Sequence, residues 1–149
     1  RLHIPDYQAD MCVSFAQGNV GKAEQIASSE EFNEMTESAL KILRHAEEME
    51  LNDLIDTIKS LTQEKNTIYE YLDLFLLWFR DVLLFKATRE VDSLVFRQEI
   101  NYIKERARKS SYEGLETIIN AVETAKVRLN ANVNFELVME LLFLTIREN

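Results

Sequence analysis

The chain has 149 residues, 46% hydrophobic and 29% charged, with 26 acids against 17 bases and a formal net charge of -9. A chain of that length buries roughly 70% of the surface its unfolded form exposes, so a real core is available, and the apolar content excludes intrinsic disorder. Three glycines and one proline are too few for the many tight turns of a strand-rich sandwich or barrel, and the composition favours an all-α helical bundle.

Tyr7, Met11 and Phe15 recur at i, i+4 and i+8 on one face of a helix over Asp6 to Phe15, with Pro5 suited to its start and Gly18 to its end. Asn19 caps a second short helix that carries Val20, Ala23, Ile26 and Ala27 on one face. Both are rich in small residues, and the texture changes near Ser29. Ser28 and Ser29 ahead of Glu30 and Glu31 signal the start of a helix over about Glu30 to Glu48, with Met35, Ala39, Ile42, Leu43 and Ala46 on its apolar side. Asn52 and Asp53 open another, which buries Leu54, Ile55, Ile58 and Leu61.

Asn66 or Thr67 caps a third helix that runs to about Lys86 or Thr88, and its run from Leu74 to Phe79 is apolar all round. A membrane span needs ~20 such residues, and Asp73, Arg80 and Asp81 bracket this run too closely. It reads as a central core helix. A connector over Glu90 to Leu94 precedes Phe96 to Lys109, with Phe96, Ile100, Ile103 and Ala107 on one side. Tyr112 to Leu129 follows with a clean apolar face. Asn134 then caps a last helix, Phe135 to Ile146, which is again hydrophobic most of the way round.

Candidate chemistry is sparse. A di-metal carboxylate bundle needs paired Glu-x-x-His motifs, whereas His3 and His45 are the only histidines; His45 beside Glu48 reads as a solvent-facing residue among acids. No phosphate-binding loop, dinucleotide fingerprint or nucleophile elbow is present, so neither a cofactor nor a catalytic residue is expected. Cys12 reads as a small buried hydrophobe, and with one cysteine and no leader pattern the expected compartment is the cytoplasm. Lys104, Arg106, Arg108 and Lys109 form one basic concentration, read as a solvated helix end. The two over-hydrophobic helices pose the sharper question, because a bundle of about five helices can cover one completely but strains to cover two.

Three stretches carry a resemblance: Ala16-Gln17-Gly18-Asn19-Val20-Gly21-Lys22-Ala23, the run Leu74 to Leu84 with Trp78-Phe79-Arg80-Asp81, and Ala125 to Leu142 with its asparagine cluster. In order and spacing they resemble the C-terminal half of the delta-prime subunits of bacterial DNA polymerase III clamp loaders. The resemblance implies that residues 1–30 end the small helical lid of an AAA+ module. It also implies that residues 31–149 form a helical collar that packs beside other subunits, the ATP-hydrolysing gamma/tau and delta, in a ring. The start at Arg1 instead of Met fits a piece of a longer chain. In ATP-binding relatives the lid motif places an arginine against the phosphates; Gly21 stands there, flanked by Gly18, Lys22 and Ala23, so the motif is degenerate and holds no nucleotide.

On this reading the fragment is non-catalytic and serves assembly of the ring that loads the sliding clamp, without direct nucleic-acid or membrane binding. Its expected subunit contacts are Leu74, Trp78, Phe79, Arg80, Leu141, Phe143 and Leu144. The alternative is a free-standing helical adaptor that binds one protein or peptide along the last helix.

Overall fold

The computed structural model describes residues 30–63 and 65–149, and among these it has six α-helices and no strand. They are α1 (Glu30–His45), α2 (Leu51–Thr62), α3 (Ile68–Thr88), α4 (Ile100–Lys109), α5 (Tyr112–Asn130) and α6 (Phe135–Glu148). Short 3-10 turns at Ala46–Glu48, Lys65–Thr67 and Arg97–Glu99 lead out of α1 and into α3 and α4. The two short helices expected before Ser29, Cys12 and the motif at Gly18, Gly21, Lys22 and Ala23 lie outside the described residues.

The 21-residue α3 is the axis of the bundle. It packs against α1, α4 and α5, while α6 packs against α5, α2 and the turn after α1. Eleven residues of α3 are buried, among them Leu72, Leu74, Phe75, Trp78 and Phe79. Its all-round hydrophobicity therefore has an intramolecular cause: three helices surround it. Phe75 meets the ring of Phe143 edge-on at 6.1 Å, and Trp78 meets Phe79 at 5.3 Å, which locks the middle of the core.

Local signals set the helix ends. The Ser111 side chain accepts a hydrogen bond from the Gly114 N–H, and Asn134 Oδ1 accepts one from Leu137 at 2.9 Å, each satisfying an orphan first-turn donor. Thr67 occupies the N-cap position of α3 without a side-chain cap bond, and Glu50 rather than Asn52 or Asp53 precedes α2. At the end of α3, Arg89 takes the left-handed conformation at φ 62° while its N–H donates to the Phe85 carbonyl.

Candidate interaction surface

The seven residues read from the sequence as subunit contacts divide sharply. Leu74, Trp78, Phe79 and Phe143 are 0–1% exposed, so their surface is already spent on the chain's own core, and as contact residues they are corrected to core residues. Arg80, Leu141 and Leu144 lie outside. Leu141 is 43% and Leu144 38% exposed, and Leu137, not singled out from the sequence, is 48% exposed. At about 100° per residue, Leu137, Leu141 and Leu144 cluster on one side of α6. The buried set Val138, Met139, Leu142, Phe143 and Ile146 occupies the other. The helix is thus amphipathic with leucine on its solvent side, the reverse of an ordinary surface helix.

On α3, Arg80 faces outward and makes no ion pair among the described residues, with Leu84 one turn further on and 37% exposed. Its neighbour Asp81 has a different task. Buried at 3% exposure, its carboxylate accepts hydrogen bonds from the Val95 N–H at 3.1 Å and the Phe96 N–H at 2.7 Å. It ties the α3–α4 connection to the axial helix and lets Leu94 and Phe96 enter the core. Burial pushes the Asp81 carboxyl above its ordinary range, and the two backbone donors pull it back.

Arg106 departs from the basic cluster in which its sequence position placed it. Whereas Lys104, Arg108 and Lys109 are exposed, Arg106 is 3% exposed and its guanidinium donates to the Ile146 carbonyl at 2.5 Å and to Ser110 Oγ at 3.1 Å. The same group lies 5.4 Å from the Phe79 ring centre and 3.8 Å from Glu47, so one side chain joins α4, α6, α3 and the turn after α1. Burial draws its pKa down from the ordinary arginine value, opposed by Glu47.

Two further charged pairs serve as pins. Arg44 of α1 grips buried Glu99 through two hydrogen bonds of 2.7 Å and lies over the Tyr102 ring, and the bond to Glu99 raises the Arg44 pKa. Lys126 of α5 pairs with Asp73 of α3. At the surface, Arg108 and Lys109 share Glu105, and Lys109 also meets Glu47, which neutralises much of the basic end of α4. The hydrogen bond from Arg108 holds the Glu105 carboxyl down to about 2. His45 is exposed, 4.0 Å from Glu48. Among the described residues no group of three or more His, Cys, Asp or Glu side chains is placed to hold a metal, and no helix is long and apolar enough to cross a membrane.

These features define a class: an all-α bundle whose buried charges act as structural pins and whose surface offers apolar helix faces. The family described as DNA polymerase III, delta subunit, C terminal, matches residues 31–148, and the chain belongs to that family. The DNA polymerase III subunit delta' of Bacillus subtilis (strain 168) is 31% identical over 133 residues, covering 87% of this chain and 40% of that relative. The chain therefore spans about 40% of the length of the curated relative it matches. No solved structure matches it.

Proposed function

We propose that this chain is the C-terminal part of a clamp-loader delta-prime subunit and that it works by assembly. Residues 31–149 are the collar that holds a place in a ring with gamma/tau and delta, and residues 1–30 close the lid of the preceding AAA+ module. The complex loads the sliding clamp in an ATP-dependent step, in the cytoplasm. This fragment takes no catalytic part. The observation that carries this reading is the leucine row Leu137, Leu141 and Leu144, turned to solvent on a helix whose other side already fills the core. Burying a half-exposed leucine under a neighbour stabilises by about 1 kcal/mol or more, so three in a row make a contact centre, and exposed Arg80 and Leu84 on α3 offer a second, separate candidate contact. Pairing of Arg108 and Lys109 with acids supports contact with protein in preference to DNA.

Co-sedimentation with gamma/tau and delta of the same source tests the reading. Co-migration at about micromolar concentration is expected. Leu141→Glu, at an exposed position, should abolish it while leaving the far-ultraviolet circular dichroism spectrum unchanged. Failure of the unsubstituted chain to co-migrate refutes the proposal.

A further inference from the structure

Two cavities of about 430 and 550 Å³ share Ser38 and Tyr71 and so join into one trench along α1, walled on the other side by the start of α3 in the smaller cavity and by α2 in the larger. On the α1 wall, the lining residues Glu31, Met35, Ser38, Ile42 and His45 follow spacings of four, three, four and three. On the α2 wall, Asp53, Thr57 and Ser60 follow four and three. Spacings of three and four keep these residues on one face of each helix, turned towards the trench. The α1 lining from Glu31 to His45 runs about 21 Å at 1.5 Å per residue, and α2 stands opposite its second half, from Ser38 to His45.

The floor is apolar and the rim is acidic. Half-buried Met35 lines the smaller cavity, and half-buried Ile42 and Met49 line the larger one with buried Leu61. Around them stand Glu31, Glu34 and Glu70 at one end and Asp53 and Asp56 along the far wall, opposed by Lys41 and His45. None of these five acids makes an ion pair among the described residues. In a chain of net charge -9, this arrangement favours a positively charged occupant and disfavours a second copy of the same acidic chain.

We propose that the trench is a docking site for a cationic amphipathic helix of a partner protein, its apolar stripe seated on Met35, Ile42 and Met49 and its lysine or arginine flanks against the acidic rim. The α6 leucine row is a separate surface, so this site stands whether or not the ring-assembly reading does.

The probe is a fluorescent helical peptide of ~20 residues with leucine at heptad a and d positions and lysine on the flanks, titrated with the full chain at about 150 mM salt. A control peptide carries glutamate flanks. Saturable one-to-one binding is expected for the lysine peptide, with the glutamate peptide at least about tenfold weaker. The pair Asp53→Lys and Asp56→Lys, at exposed positions, should weaken binding by about tenfold, as should Ile42→Glu; Glu116→Lys with Glu123→Lys, on the outer side of α5, should leave it unchanged. If Ile42→Glu loses helicity, the paired lysine substitutions still decide.

Equal loss from the α5 substitutions would mean diffuse charge attraction and overturn the proposal, as would the absence of saturation. Dimerisation that Ile42→Glu dissolves would assign the trench to a second copy. A photoreactive phenylalanine analogue at position 42 that crosslinks to residues 1–29 of the same chain would assign it to that segment. Either result overturns the partner-helix proposal.

Discussion

Replacing Asp81 by alanine removes both acceptors that hold the start of the α4 connection, and the structure sets the size of the effect. The bond from the buried Phe96 N–H is short, at 2.7 Å, and charge-assisted, worth about 1.5–3 kcal/mol. The bond from half-buried Val95 is longer, at 3.1 Å, and worth about 0.5–1 kcal/mol because water can partly replace it. Ionised Asp81 carries a desolvation penalty, visible in its raised pKa, and the alanine variant escapes it. The net loss near pH 7 is therefore about 2 kcal/mol, read as the difference in urea unfolding free energy followed by far-ultraviolet circular dichroism. Because the folded-state pKa of Asp81 is raised, the folded chain holds this proton more tightly. The stabilisation it gives is full below the unfolded carboxylate pKa and falls as pH rises through the folded value. The gap between the two proteins should therefore widen as pH falls through the folded value towards the unfolded carboxylate value of about 4. A loss below about 0.5 kcal/mol, or a gap that narrows on acidification, would refute the assignment of Asp81 as the buried anchor of this connection.

Arg106→Ala removes the donors to Ile146 and Ser110 and the contact with Phe79. The expected loss is about 3 kcal/mol, or roughly 10 °C in Tm by calorimetry, and Arg106→Lys should recover less than half because one ammonium cannot reproduce the fork. Asn134→Ala and Ser111→Ala each delete an N-cap bond and should each cost about 1 kcal/mol in urea titrations. Arg89→Gly relieves the positive φ of 62° at the end of α3 and should stabilise by about 0.5–1 kcal/mol; Asn132→Gly, at φ 61°, should change less, since asparagine tolerates that region.

Helices were legible because 3.6-residue periodicity is strong here: α5 and α6 begin within a residue of where their caps and apolar faces place them. The covering of a helix was not. Leu74 to Phe79 and Phe135 to Ile146 look equally over-hydrophobic in sequence, yet α3 is enclosed by three neighbours, while α6 keeps Leu137, Leu141 and Leu144 outside. Apolar content records that a side wants cover and not which neighbour supplies it. Arg106 was hidden by the cations around it, although a signal existed: it lies three residues after Ile103 and four before Ser110, on the buried side of α4. Arg44 and Glu99 are 55 residues apart, and nothing local marks such a pairing.

The trench follows from how its two walls are held. Phe32, Ala39 and Leu43 fasten α1 to the core, and the Arg44–Glu99 pair pins its last turn. The buried side of α2, Leu54, Ile58 and Leu61, is taken up largely by α6. Each wall is thus fixed mainly by contacts behind it, with Thr57 Oγ1 donating to Met49 Sδ at the trench floor. A helix entering the trench need displace none of these contacts, and the main costs of its binding are its own ordering and the desolvation of the acidic rim. The second cost falls when the arriving flanks carry lysine or arginine and rises when they carry acid, because an unpaired carboxylate loses water without compensation. Preorganised walls therefore make charge the discriminating variable at this site, and salt should weaken binding of the lysine peptide far more than any residual binding of the glutamate peptide.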